Sequence, residues 1–263
     1  FPSAEVHLEE TVSSEPSKTI KPETDAASAI SSGEEKSSMK TGIIAEQILE
    51  GETGTIHYSY YLPEDYDTQK KYPLMMVMPG YDMMWFGEES SGSNLDWDGF
   101  LCWTQLQEKM IVVSAQLTDW RDTSARQAIE LTESVDVSRV YAAGYSAGGE
   151  TMSQAVSMRP DLYVAYLHGA SQWDGEYVPI AENGTAVYVF MAEHDEYYGS
   201  QRAWSAYNSL HDAYEEAGWS EEQISDVLQI QRSRRQMTNG SLSGALPAII
   251  MAAAMWSLGK MMF

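Results

Sequence analysis

The sequence has little cysteine and few basic residues. Its 263 residues include a single cysteine, Cys102, so no internal disulfide can form and no zinc site made of several cysteines exists. Lysine and arginine number 16 against 39 aspartates and glutamates, which gives a formal net charge of −23. Such a negative surface repels nucleic acid and anionic lipid, so we expect neither as a partner. Neutral esters, sugars and cationic peptides are compatible with it.

A long unbroken apolar run is also missing. The apolar stretch at residues 245–258 is shorter than the roughly 20 residues of a spanning helix, and Pro247 interrupts it. A membrane partner is therefore expected only if this tail is a genuine anchor. Residues 1–40 are rich in serine, glutamate, threonine, proline and lysine, and we predict that they are a disordered linker. A polar tether ahead of a folded domain is typical of an extracellular or cell-surface bacterial protein, although a plain flexible terminus has the same composition.

Between residues 41 and 229, short apolar runs alternate with helical segments. This pattern predicts an α/β domain with a mostly parallel central sheet and helices on both faces. An edge-type strand is expected first, at residues 55–63, because the run ends at a proline. The other predicted strands are residues 74–78, 111–115, 139–143, 163–167 and 186–191, and the predicted helices are residues 124–132, 147–158 and 202–217.

The clearest motif is the sequence Gly-Tyr-Ser-Ala-Gly at residues 144–148. It matches G-x-S-x-G and lies between a predicted strand and a predicted helix, the context in which the serine becomes a strained, exposed nucleophile. Gly144 and Gly148 provide the small neighbours that such a turn needs. Ser146 is therefore the predicted nucleophile, and the Ala147 N–H at the helix start is a predicted donor to an oxyanion.

Two further groups are expected on neighbouring loops. The loop after the strand at residues 74–78 reads Pro-Gly-Tyr-Asp, and we predict that the Tyr81 N–H is the second oxyanion donor. The strand at residues 187–191 runs into Ala-Glu-His-Asp-Glu-Tyr-Tyr-Gly. Asp195 is the predicted acid that would orient a catalytic histidine, with Glu196 as the second choice.

Residues 138–149 and 163–171, together with the loops at 79–82 and 193–199, resemble the feruloyl/acetyl-xylan esterase and polyhydroxybutyrate-depolymerase-like branch of the α/β-hydrolases, often labelled prolyl-oligopeptidase-like. The resemblance covers about residues 41–226. It implies a secreted or surface serine esterase that needs no metal or other cofactor, and it leaves the substrate open. The expected partner is a small-molecule or polysaccharide-linked ester, such as a plant cell-wall acyl ester. Trp173, Tyr197 and Tyr198 follow strands that would rim the site, and we predict that they contact the substrate.

The sequence has no histidine at the position that the order of catalytic residues in this fold requires. The order is serine, then acid, then histidine, and the only histidine after Asp195 is His211, in the middle of a predicted surface helix. His194 adjoins Asp195, His168 is expected in the core or the pocket, and His57 lies on an early strand. The general base is therefore missing from the predicted site.

The composition changes abruptly near residues 229–231, after which no acidic residue occurs. Residues 230–263 are accordingly predicted to be an aberrant basic and apolar tail. One interpretation is a genuine anchor preceded by the basic residues at 232–235. The other is a shifted reading frame, because residues 247–255, read from the third base of plausible codons, give histidines followed by glycines.

Three functions fit these observations. The leading one is a serine carboxylic-ester hydrolase that works through an acyl-enzyme and is crippled by the missing histidine. The second is a non-catalytic surface protein that holds carbohydrate in an aromatic cleft of the same scaffold, which the missing histidine favours. The third is a serine peptidase, which would use the same residues.

Overall fold

A computed structural model describes residues 40–233 of the chain. The predicted linker at residues 1–40 lies outside the described residues except for its last residue, and the predicted tail lies outside them except for residues 230–233. The described strands are β1 (Gly42–Gly51), β2 (Gly54–Leu62), β3 (Pro73–Met78), β4 (Ile111–Gln116), β5 (Arg139–Tyr145), β6 (Tyr163–Gly169), β7 (Ala186–Ala192) and β8 (Leu228–Ser233). The described helices are α1 (Asp98–Thr104), α2 (Asp122–Glu133), α3 (Ala147–Met158), α4 (Val178–Asn183), α5 (Ser200–Glu216) and α6 (Glu221–Val227).

The eight strands form one sheet in the order β1-β2-β4-β3-β5-β6-β7-β8. Strand β2 pairs antiparallel with both of its neighbours, and every pair from β4 to β8 is parallel. This arrangement confirms the predicted α/β fold class. The parallel strands all point their carboxyl ends to one edge of the sheet, which is where ligands bind in open α/β folds.

One expectation about the edge of the sheet needs correction. The segment predicted as an edge strand is β2, which lies inside the sheet, and the edge is β1, which was not predicted. Only Ile44 is buried in β1, and the pairing register shifts between Ile44 and Gln47, so the apolar pattern of this strand is weak. At the other end, β8 covers residues 228–233, and the domain boundary expected at residue 229 stays a prediction.

The core lies on both faces of the sheet. Along β3 all six residues are buried, and alternate side chains enter opposite clusters: Leu74, Met76 and Met78 join one, Met75 and Val77 the other. The first cluster is covered by α2, α3 and α5, and the second contains Phe100 and Trp103 of α1. Burial on both faces explains why the central strands read as continuous apolar runs.

Paired strands β1 and β2 offer a matched test of this core. Ile56 is fully buried, whereas Ile48, on the neighbouring strand, is 57 % exposed. Ile56→Ala should lower the free energy of unfolding by about 2–5 kcal/mol, because it removes buried methyl groups and leaves a cavity. Ile48→Ala should change it by less than about 1 kcal/mol. Urea unfolding followed by circular dichroism measures both, and equal losses would contradict the described placement of β1 and β2.

Candidate active site

Ser146 occupies the turn between β5 and α3. Its backbone has φ 54° and ψ −127°, a conformation that residues with a side chain rarely adopt. The Gly149 and Glu150 N–H groups donate to the Ser146 carbonyl, at 2.8 and 3.1 Å, so the helix begins immediately after the strained residue. The turn holds Ser146, partly exposed, at the carboxyl edge of the sheet. This is the strained strand-to-helix geometry that the motif predicts.

The two glycines flanking Ser146 leave no room for a side chain. A Cβ atom on Gly148 would lie 2.2 Å from the Met78 carbonyl oxygen and 2.4 Å from that of Pro79. A Cβ atom on Gly144 would lie 2.5 Å from the Gly148 carbonyl oxygen. Because these neighbours are backbone atoms, they cannot swing away, and the start of α3 is fixed directly against β3 and β5.

The predicted oxyanion donors lie on both sides of Ser146. Ala147 is the first residue of α3, so its N–H has no acceptor within the helix. On the other side, the loop after β3 approaches closely, since a Cβ built on Gly80 would be 3.3 Å from the Ser146 Cβ. Tyr81 is the next residue in that loop. The positions suit the predicted roles, which stay predictions.

Asp195 lies in the loop between β7 and α5, at the position expected for the acid. Its Oδ1 accepts hydrogen bonds from three backbone N–H groups, those of Tyr198 at 2.6 Å, Tyr197 at 3.1 Å and Gly199 at 3.2 Å. No group among residues 40–233 donates to its Oδ2. The carboxylate therefore fixes the loop with one oxygen, and its other oxygen is available to a further donor.

None of the four histidines in the described part of the chain is hydrogen-bonded to Ser146. His168 is fully buried on β6 beside Tyr166, and burial lowers its pKa to about 4. His57 stacks on Trp85 with ring centroids 3.5 Å apart, and His194 is exposed. His211 lies on α5, as predicted. The fifth histidine, at position 7, is outside the described residues.

One group of side chains has the spacing of metal ligands. The ligand atoms of His211, Glu215 and Glu221 lie within 4.8 Å of one another, and Glu221 Oε2 is 3.2 Å from His211 Nε2. Both glutamates are exposed, and exposed acidic groups commonly cluster without an ion. The arrangement is accounted for by the hydrogen bond between His211 on α5 and Glu221 in the first turn of α6.

The three aromatic residues predicted to contact substrate have different surroundings. Tyr198 reaches the nucleophile, with its Oη 3.5 Å from Ser146 Oγ. Tyr197 is 86 % exposed and packs edge-on against Tyr198. Trp173 stacks on Tyr177 and packs against the core, and these contacts explain its position without a substrate. The substrate roles of all three remain predictions.

Sequence reasoning missed a carboxyl pair behind Tyr198. The Tyr198 hydroxyl donates to Glu150 Oε1 at 2.6 Å, and Asp174 acts on Glu150 electrostatically. The one available signal was spacing, since Glu150 follows Ser146 by four residues and so lies about one helical turn further along α3. Asp174 comes from the loop after β6, which no local pattern relates to α3.

A second missed feature is an exposed aromatic patch at the other side of the nucleophile. Tyr81 packs against Phe86 with ring centroids 5.0 Å apart and against Trp120 at 5.8 Å. Tyr81 is 52 % and Phe86 54 % exposed. Tyr81 follows Gly80 in the loop that contacts Ser146, so the patch begins next to that contact. It offers apolar ring faces at the margin of the site.

The described chain ends where the histidine loop would begin. Strand β8 pairs parallel with β7, and Ala192, the end of β7, pairs with Ser233. No histidine occurs among residues 234–263.

No protein-family model and no curated protein matches the sequence. Solved structures do match. A thermostable esterase superposes with a TM-score of 0.62 and 16 % identity, covering 82 % of this chain and 62 % of its own. Dipeptidyl peptidase 4 of Porphyromonas gingivalis gives a TM-score of 0.55 and 13 % identity, with 81 % and 34 % covered. An acylaminoacyl peptidase gives 0.50 and 12 %, with 80 % and 40 % covered.

These matches and the sheet topology define the class: the chain has the α/β-hydrolase fold. It spans less than two thirds of the length of each of these structures. The identities are low, so the likeness concerns the fold. In the described part of the chain, no helix has the length and the apolar character needed to span a bilayer.

The close packing at the turn gives a matched pair of glycine substitutions. Gly148→Ala should lower the free energy of unfolding by about 1–3 kcal/mol, because the new methyl group meets two carbonyl oxygens of the backbone. Gly51→Ala creates an equally short contact, 2.0 Å, but with the carboxylate end of Glu130, which can rotate away. Its effect should stay within about 0.5 kcal/mol. Denaturant unfolding compares the two, and a stable Gly148→Ala protein would contradict this geometry.

Proposed function

We propose that this protein is a serine hydrolase that cleaves carboxylic esters through an acyl-enzyme, with Ser146 as the nucleophile. The observation that carries the proposal is the backbone of Ser146, held at φ 54° at the carboxyl edge of a parallel sheet. Strain of this kind persists only where surrounding structure enforces it, and it clusters at functional sites. Gly144 and Gly148 enforce it here through contacts that admit no side chain.

The chemistry follows from the groups around Ser146. Its Oγ attacks the ester carbonyl, and the negative charge that develops on the carbonyl oxygen is met by the Ala147 and Tyr81 N–H groups. The alcohol leaves, and water then releases the acid from Ser146. Asp195 Oδ2 is available to orient a histidine, as an acid in this position does. Residues 234–263 supply no such histidine, so we expect this sequence to have residual activity only.

The proposed substrate is a neutral ester that carries a ring. A net charge of −23 disfavours anionic substrates, and the patch of Tyr81, Phe86 and Trp120 offers stacking faces next to the nucleophile. An ester with an aromatic acyl group or a sugar alcohol carries a ring that can stack on these faces, and plant cell-wall esters are an example. Such substrates suit the extracellular or cell-surface location expected from the polar segment at residues 1–40.

A peptidase is the second candidate. Two of the solved structures named above are peptidases, and the same nucleophile and oxyanion groups serve amide hydrolysis. A carbohydrate-binding protein without catalysis is the third, and the absence of a histidine from residues 234–263 favours it. The fold is common to all three. The reactivity of Ser146 separates the two hydrolases from the carbohydrate-binding protein, and hydrolysis of esters rather than amides separates the two hydrolases from each other.

A fluorophosphonate probe tests that reactivity. The probe should label the protein at a single site, and Ser146→Ala should abolish labelling, because the strained turn activates this serine alone. Ser153→Ala is the control, because Ser153 lies in α3 and is fully buried, so the probe should not reach it and this variant should still be labelled at Ser146. In-gel fluorescence and peptide mapping by mass spectrometry measure both.

Absence of labelling in the wild-type chain would favour the carbohydrate-binding candidate. Hydrolysis of a nitrophenyl acetate should be weak, about 10³–10⁴-fold above water, which is the level left when one triad member is missing. A full esterase rate would contradict the inferred loss of the base.

A further inference from the structure

Ser146, Tyr198 and Glu150 form a continuous chain of hydrogen bonds. Tyr198 Oη lies 3.5 Å from Ser146 Oγ and donates to Glu150 Oε1 at 2.6 Å. A phenol has one proton, and that proton is already directed to Glu150. In the contact with Ser146 the serine hydroxyl must therefore be the donor. A separation of 3.5 Å is long, as contacts between catalytic groups often are before substrate binds.

Glu150 is a buried carboxyl with no basic partner. It is 6 % exposed, and no lysine or arginine among residues 40–233 forms an ion pair with it. Burial is the largest influence on its pKa and raises it, while the hydrogen bond from Tyr198 acts in the opposite direction. The carboxylate is thus more basic than an exposed glutamate, and it faces the nucleophile through Tyr198.

Asp174 stabilises the protonated form of Glu150. Burial raises the pKa of Glu150, and the neighbouring Asp174 carboxyl raises it further. Burial raises the pKa of Asp174 as well, whereas the side-chain amide of Gln172 and Arg202 lower it. Glu150 therefore holds a proton more readily than an exposed glutamate does.

We propose that Tyr198 is a further catalytic residue, which passes the Ser146 proton to Glu150. The proposal rests on Ser146 being the nucleophile. As Oγ bonds to the carbonyl carbon, its proton moves to Tyr198 Oη, and the Tyr198 proton moves to Glu150 Oε1. The carbonyl π electrons move to the carbonyl oxygen, and Glu150 becomes a neutral acid. When the alcohol leaves, the same path returns one proton to its oxygen, so atoms and charge balance.

Asp195 positions Tyr198 in this arrangement. Its Oδ1 accepts the Tyr198 backbone N–H at 2.6 Å and also holds the adjoining Tyr197 and Gly199 N–H groups. The loop after β7 is thereby fixed while the Tyr198 ring extends from it toward Ser146. Asp195 and Tyr198 are three residues apart, so the predicted acid and the proposed relay belong to one short loop.

The test is the pH dependence of fluorophosphonate labelling in the full chain, compared among variants. In the wild type the labelling rate should rise with pH and level off once Glu150 is ionised, with a midpoint above the ordinary glutamate value of 4.5 because burial raises the pKa of Glu150. Tyr198→Phe and Glu150→Gln should both lower the plateau by about a hundredfold or more and abolish the rise. Glu150→Asp, which keeps a carboxylate, should retain the rise at a lower rate.

Tyr207→Phe is the matched control, because Tyr207 is a half-buried tyrosine on α5 and should leave the rate and the profile unchanged. Glutamine at position 150 still offers an oxygen to the Tyr198 hydroxyl, so a purely structural role would keep the wild-type rate in that variant. Wild-type rate and profile in Glu150→Gln would overturn the relay. Thermal melting followed by circular dichroism identifies any variant that is unfolded. If Tyr198→Phe is unfolded, the labelling rates of Glu150→Gln and Glu150→Asp decide whether the relay exists. Undiminished labelling in Ser146→Ala would instead overturn the proposed function.

Discussion

The contact between the start of α3 and the ends of β3 and β5 determines the geometry of the whole site. At Gly148 a side chain would have to enter the space of two carbonyl oxygens, and at Gly144 it would meet the turn itself. Backbone packed this closely forces Ser146 into its positive φ. The same contact brings the loop of Gly80 to one side of Ser146 and aligns the first turn of α3 behind it, so the oxyanion donors and Glu150 take their positions from it.

Much of this framework was predictable because it is encoded locally. Strands buried on both faces must be continuous apolar runs, and the limits of α3 follow from Gly-x-Ser-x-Gly at its start and Arg159-Pro160 after it. Strand β1 escaped prediction because it is an exposed edge with a bulge, where alternation is weak and polar residues are tolerated. Because the sequence does not predict β1, it places the edge of the sheet at β2. The errors therefore fall where burial, the source of the pattern, is least.

The groups next to Ser146 were predictable only in part, since loops carry them. Ser146 and Tyr198 are 52 residues apart, and their contact depends on how the loop after β7 folds back over the sheet. The spacing of Glu150 from Ser146 placed it one helical turn away, but nothing in the sequence indicated that it would be buried without a cation. Asp174 and Glu150 meet only because β6 ends beside α3. Such juxtapositions are properties of the tertiary structure, not of any window of sequence.

The relay and a conventional triad exclude each other at Ser146. The serine hydroxyl has one proton, and it can be given either to Tyr198 or to an imidazole, but not to both. A histidine supplied from beyond β8 would have to displace Tyr198 from Ser146 Oγ, and Asp195 Oδ2 is free among the described residues to hold such a ring. A histidine also suits chemistry near neutral pH, because its ordinary pKa is about 6.5. Tyr198 and Glu150 can therefore take the Ser146 proton only as long as no imidazole reaches Ser146 Oγ.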